Sequence, residues 1–310
     1  MPRFPTLSMS HRLARLEPPA GRVRAVLDTD TFNEIDDQFA LVYALLSPER
    51  IALEAIYAAP FHNDRSTGPT DGMEKSYREI LRLLSKLGRS AEGFVYKGSP
   101  GFLDSSLTPF PSAAALDLIA RAQRSAPDDP LFVIAIGAIT NVASALLIAP
   151  EIIDRIVVVW LGGHALHWPH TREFNLAQDV HAARLVFNSG VPLVQLPCLG
   201  VTSHLLTTVA EIEQYVRGQG AIGEYLADIF AAYESDHFGW SKVLWDIAAV
   251  AYLVNPTWLE SHLVPSPLPT DQQTWSHDPT RHFIRYVSYI HRDPIYRDLF
   301  TRLRRAASRT

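Results

Sequence analysis

AVLDTDTFNEIDDQFALVYALL, residues 25–46, decides how the chain is read. Ala25, Val26 and Leu27 form a short apolar run that reads as a buried strand. Asp28, Asp30, Asp36 and Asp37, with Glu34 among them, follow at once. Phe39, Val42, Leu45 and Leu46 then recur at helical spacing, and Ser47-Pro48 ends the helix. The acids therefore sit between the carboxyl end of a strand and the start of a helix, where open α/β sheets place their sites. An Asp at a helix start often serves as a cap, and one after a strand as a turn former. Four at one strand end exceed either need, because each raises the electrostatic cost of the others. The helix dipole offsets only about 0.3–1 kcal/mol per acid. A divalent cation offsets far more, and hard oxygen ligands suit calcium or magnesium.

Strand and helix go on alternating beyond this stretch. Strands are expected at 51–58, 94–96, 131–136, 156–161 and 192–196, and helices at 77–87, 112–124, 142–148, 180–188, 208–217 and 221–233. Such alternation predicts an α/β fold: a mostly parallel central sheet with helices on both faces, a Rossmann-like open sheet. No repeat or linker divides the chain after residue 22, so 22–310 is read as a single domain. Residues 1–21, MPRFPTLSMSHRLARLEPPAG, lack a continuous apolar core and are expected to form a flexible arm and not a secretory signal. Residues 58–77 and 262–279 read as loops, and 281–300 as a strand and helix covering the core.

Composition narrows the class. The 310 residues are 47 % hydrophobic and 20 % charged, as in an ordinary globular protein. The net charge is −5, and basic residues are dispersed until RLRRAASR at 302–309, which argues against a nucleic-acid groove. The single cysteine, Cys198, excludes an internal disulfide, and its apolar neighbours suggest a buried thiol. No run approaches the roughly eighteen apolar residues of a membrane span. A cytoplasmic protein is expected.

Four patches carry a family resemblance. DTDTFNEIDDQFAL, residues 28–41, resembles the amino-terminal DxDPGxDDxxAL signature of the nucleoside hydrolase family; Pro-Gly is absent and the loop between Asp30 and Asp36 is two residues longer. IAIGAITNVASAL, residues 134–146, is similar to that family's GxLTNxA segment. WLGGHALHWPHTREFNLAQDV, residues 160–180, resembles its MGG…EFN segment, although the loop is short and a family Asn upstream of EFN has no counterpart. In KVLWDIAAVAYLVNP, residues 242–256, Trp245-Asp246 stands where many members carry His-Asp and resembles the purine-preferring branch.

The resemblance implies a calcium-dependent N-ribohydrolase that splits a ribonucleoside, purine before pyrimidine, into ribose and base. It makes Asp30, Asp37, Asp246 and the Ile136 carbonyl the metal ligands, with Asp30 also the general base. Asp36, Glu173 and Asn175 would hold ribose hydroxyls, Leu161 would lie against the sugar, and Trp245 would stack on the base. Asn63 would reach base or ribose from its loop, and the family implies a homodimer or homotetramer. The acid for the leaving base is open among His62, Tyr233, His237 and the histidines near His164. His164, His167 and His170 lack the spacing of a zinc site. Three alternatives stand beside this reading. DTDTF also fits the DxDxT of haloacid-dehalogenase-like phosphatases, with Asp28 as nucleophile and magnesium as cofactor. A non-catalytic nucleoside- or ribose-binding relative and a hydrolase of another N-glycoside are the others.

Overall fold

The computed structural model describes residues 4–126 and 128–308. Among these, twelve strands run in chain order: β1 (Val23–Thr29), β2 (Ile51–Ala58), β3 (Val95–Lys97), β4 (Leu131–Ala135), β5 (Ile156–Leu161), β6 (Leu193–Leu196), β7 (Leu206–Thr207), β8 (Lys242–Val243), β9 (Leu259–Pro265), β10 (Leu268–Pro269), β11 (Trp275–Ser276) and β12 (Phe283–Ile290). Eight of them form one sheet in the order β3-β2-β1-β4-β5-β6-β12-β9; β7 with β8 and β10 with β11 make two small ribbons. Every pairing in the main sheet is parallel except that of β12 with the edge strand β9.

Every position of β4, β5 and β6 is buried, because helices cover both faces of a sheet whose connections are helical crossovers. Neighbouring residues serve opposite cores: Leu27, Ile134 and Val159 face one, and Val26, Val133 and Val158 the other. Strand order reverses between β1 and β4, where the crossovers leave the sheet in opposite directions. That divergence opens a crevice at the carboxyl ends of the two strands. Asp28 and Thr29 end β1, and Ile136 and Gly137 follow β4, so the acid stretch lies at this switch point.

Three expectations need correction. Residues 4–21 do not stand off as an arm, since Met9–Leu16 is a helix capped by Ser8, which accepts the His11 amide. Its Arg12 is buried and donates from Nη1 to the Gly190 carbonyl at 2.5 Å, while Arg285 donates to the Leu16 carbonyl. Residues 1–3 of that segment lie outside the described residues. The stretch 262–279 is not all loop, because β9 pairs with β12 over its full length. Its half-exposed pattern fits an edge strand, but its partner lies too far along the sequence for local pattern to reveal it. The loop 58–77 is also shorter than expected: a helix starts at Pro69, whose ring suits a first helical position. Gly72 lets that helix approach, since a Cβ there would meet the Phe61 carbonyl oxygen at 2.0 Å.

Candidate active site

A strand end and two helix starts deliver five buried carboxylates to the switch point. Asp28 and Asp30 come from β1 and its exit, Asp36 and Asp37 open the helix Asp36–Leu45, and Asp246 precedes the helix Ile247–Val254. Asp246 makes no capping hydrogen bond, and the residue at the cap of the helix Asp36–Leu45 is Ile35. These acids are therefore not there to start helices. Oxygens of Asp36, Asp37 and Asp246 lie within 4.8 Å of one another. Asp246, more than two hundred residues away in sequence, thus joins the amino-terminal pair.

The electrostatics of this cluster are adverse. Both carboxylate oxygens of Asp30 and one of Asp28 are buried without a hydrogen-bond partner. Burial, then the charge of Asp37, holds the Asp30 carboxyl well above the usual range. Burial, then Asp36, Asp37 and Asp30, does the same to Asp246. Asp37 is pushed up to about 7 by burial and then by Asp36, although Thr29 Oγ1 donates to it at 2.5 Å. Asp36 is pushed up to about 6 by burial, against the pull of Lys242. Its Oδ2 accepts the Trp245 amide at 3.0 Å. Buried oxygens without partners are rare in folded proteins. Crowded, orphaned oxygens fit a hard divalent cation, and they are unfavourable without one.

The facing wall is built from the loop after β5 and the short helix Phe174–Gln178. Glu173 caps that helix, and all its oxygens are engaged: Oε1 accepts the Asn175 amide at 2.9 Å, and Oε2 those of Gly163 at 2.9 Å and Leu176 at 3.0 Å. Burial still raises its pKa. Asn175 donates from Nδ2 to the Leu161 carbonyl at 3.0 Å, which leaves its Oδ1 for other partners. Both walls enclose a cavity of about 330 Å³ lined by Asp36, Asp246, Ile136, Leu161, Glu173, Asn175 and Trp245, among others. Two larger clefts, of about 540 and 610 Å³, are lined by none of the clustered acids Asp36, Asp37 and Asp246.

Most residues singled out from the sequence thus meet at one place. Asp30 and Asp37 are buried and are not among the cavity's lining residues, but their charges act on Asp246 and on one another. Asn63 is set back: it donates to Asn33 Oδ1 at 2.9 Å, and it is Asn33 that lines the cavity. Asp28 is fully buried and accepts from Asn141 Nδ2 at 2.7 Å, so it does not present itself as an exposed nucleophile. Asn141 also accepts from the Ser99 amide and hydroxyl, tying the strand ends together below the acids. Of the leaving-group candidates, His164 lines the cavity; His237 donates to the Ala231 carbonyl, Tyr233 lines a neighbouring pocket, and the backbone of His62 binds Gln178. Burial pushes the Cys198 thiol up, well away from the range of a nucleophile. Sequence reasoning missed Lys242, which pairs with Glu34 across 208 positions, and also Arg172 and Phe174 on the wall. Only the extra length of the 30–36 loop hinted that something would have to hold it.

The fold and site define an α/β protein with a carboxylate cage at the switch point of a parallel sheet. Residues 25–286 match the family described as inosine-uridine preferring nucleoside hydrolase. The pyrimidine-specific ribonucleoside hydrolase RihA of Citrobacter koseri is 32 % identical over 251 residues, covering 71 % of this chain and 76 % of that protein. The RihA of Klebsiella pneumoniae is 31 % identical over 250 residues, with the same coverage. Among solved structures, the purine-preferring ribonucleoside hydrolase from Gardnerella vaginalis shares the fold, with a TM-score of 0.72 at 24 % identity over 93 % of this chain and all of that one. The chain belongs to the inosine-uridine preferring nucleoside hydrolase family and is an N-glycosyl hydrolase.

Proposed function

We propose that the protein hydrolyses the N-glycosidic bond of ribonucleosides, purine before pyrimidine, with calcium held by the acid cage. One observation carries the reading: Asp246 meets Asp36 and Asp37 at the switch point, in a cavity whose other wall holds Glu173 and Asn175. The bound ion supplies compensating charge, an acidified water and an anchor for the ribose diol. Asp30, Asp37, Asp246 and the Ile136 carbonyl are the ligands in this reading; the carboxylate oxygens that lie within 4.8 Å of one another are those of Asp36, Asp37 and Asp246, which favours Asp36 as a further ligand.

The chain's own groups do the rest. Asp30, with both oxygens unpartnered, takes the proton from the attacking water. Asp36, Glu173 and the free Oδ1 of Asn175 accept hydrogen bonds from ribose hydroxyls. The acid-lined wall favours the positive charge that builds on the sugar in an oxocarbenium-like transition state. Leu161 and Ile136 give the sugar an apolar rest. Trp245, half-buried on the cavity wall, offers its ring face to the base. Asn63 acts through Asn33 in positioning the rim.

Release of free ribose from inosine, adenosine and uridine tests this reading. Turnover that stops on chelation and returns with calcium supports it, and turnover that persists in chelator contradicts it. A second reading, pyrimidine preference, is favoured by the specificity named for the relatives from Citrobacter koseri and Klebsiella pneumoniae. Uridine turned over faster than inosine would establish it over the first.

A further inference from the structure

The departing base needs help, and none of the four acids suggested for it is placed to give it a proton. His164 lines the cavity, but its Nδ1 accepts the Leu199 amide at 3.2 Å and the Arg172 main chain engages the same ring. Burial, then His170, holds its pKa down to about 4, so at neutral pH it carries no acidic proton. His62, Tyr233 and His237 are not among the residues that line this cavity. A hydrogen bond that gives up no proton is the remaining form of assistance.

The lengthened loop between Asp30 and Asp36 holds such a donor. Ser76 Oγ accepts the Phe32 amide at 3.4 Å, Arg65 donates to the Glu34 carbonyl at 3.0 Å, and Lys242 pairs with the Glu34 carboxylate. Lys242 stands three residues before Trp245, so this pair ties the loop to the segment that carries the base-stacking ring. Asn33 and Trp245 line the cavity together. A chain of hydrogen bonds fixes which end of the Asn33 amide is free. The Arg65 backbone N–H can only donate, and it donates to Asn63 Oδ1 at 2.9 Å. Asn63 therefore presents its Nδ2, which donates to Asn33 Oδ1 at 2.9 Å. The Nδ2 of Asn33 is left over: it has no partner among the described residues and is not sealed from solvent.

We propose that Asn33 is a catalytic residue whose side-chain N–H donates a hydrogen bond to the departing base, at a ring nitrogen or carbonyl oxygen where its negative charge collects. This rests on the N-ribohydrolase reading and adds the leaving-group side of the same site. In the reaction, the oxygen of water bonds to C1′ and one of its protons passes to Asp30, which later returns it to solvent. The C1′–N bond breaks, its electron pair leaves with the base, and the base takes a proton from solvent water. Asn33 keeps its own protons throughout. Its hydrogen bond is stronger to the anionic base than to the bound nucleoside, so it lowers the barrier more than it tightens binding. The ties that hold the loop set this donor in place before the substrate arrives.

Initial rates on inosine and on 4-nitrophenyl β-riboside, at saturating calcium, test the proposal. Nitrophenolate is stable as an anion and leaves without assistance, whereas both substrates need the same attack at the sugar. Asn33→Ala should lower kcat on inosine by about tenfold or more, and the loss on the nitrophenyl riboside should be several-fold smaller. Asn33→Asp keeps the oxygen that Asn63 grips and loses the N–H, and it should show the same split. Equal losses on the two substrates in both variants would make Asn33 a sugar contact or a structural residue and overturn the proposal. Undiminished turnover of inosine in both variants overturns it as well. An unaltered protein that cleaves neither riboside overturns the N-ribohydrolase reading itself, and this assignment with it.

Discussion

Two walls of one cavity present carboxylates in opposite condition. On the switch-point wall, Asp30 has both oxygens buried without a partner, and Asp36, Asp37 and Asp246 crowd one another. Across from them, Glu173 is as buried but accepts three backbone amides. The first set costs stability and waits for a cation; the second secures its own loop and helix. Residue type alone does not separate these roles, whereas the inventory of hydrogen-bond partners does.

The largest effect expected from this contrast is on chemistry. In the proposed reading, Asp30→Asn removes the proton acceptor and should lower kcat by about 10²–10⁴-fold, the usual worth of a general base; a loss below about tenfold would take that role from Asp30. Thermal unfolding in chelator sharpens the comparison. Asp246→Asn replaces a buried carboxyl, whose ionised form burial and the charges of Asp36, Asp37 and Asp30 oppose, by a neutral amide and should raise the Tm of the calcium-free protein at neutral pH. Glu173→Ala strands three amides and should lower it, by about 1–3 kcal/mol of stability. If both variants shift Tm in the same direction, the two walls do not differ as described.

The pH dependence follows with its sign. Asp28 and Asp37 near 7 and Asp36 near 6 lie above the ordinary carboxylate value of about 4, so the folded chain binds protons that the unfolded chain has released. Their contribution to the stability of the calcium-free protein therefore falls as pH rises from about 4 to about 7. Calcium in the cage needs Asp36 and Asp37 ionised, so the Tm gap between calcium-loaded and chelated protein should widen across that window. A gap independent of pH would contradict the cage. The smallest effect expected is at the base: Trp245→Ala should raise KM several-fold for inosine and less for uridine, and equal changes would remove the stacking role.

The sequence revealed what is local. The acids after β1, the apolar runs of β4 and β5, and the helices after them were legible because strand-end loops and buried strands carry distinct patterns. Asp246 was found through resemblance, since an Asp before an apolar helix reads equally well as a cap. What stayed hidden depends on partners remote in sequence. The Glu34–Lys242 pair closes the lengthened acid loop, β9 has order only against β12, and the first helix is pinned by Gly190 and Arg285. Glu173 was assigned to the ribose, but its work as a helix cap needed the backbone to be seen.

Calorimetric titration of chelator-treated protein with calcium tests the central claim most directly. One calcium should bind per chain, and Asp37→Asn should abolish that binding while the protein remains folded. Absence of binding in the unaltered chain, or the same affinity in Asp37→Asn, would contradict a cage built from these acids.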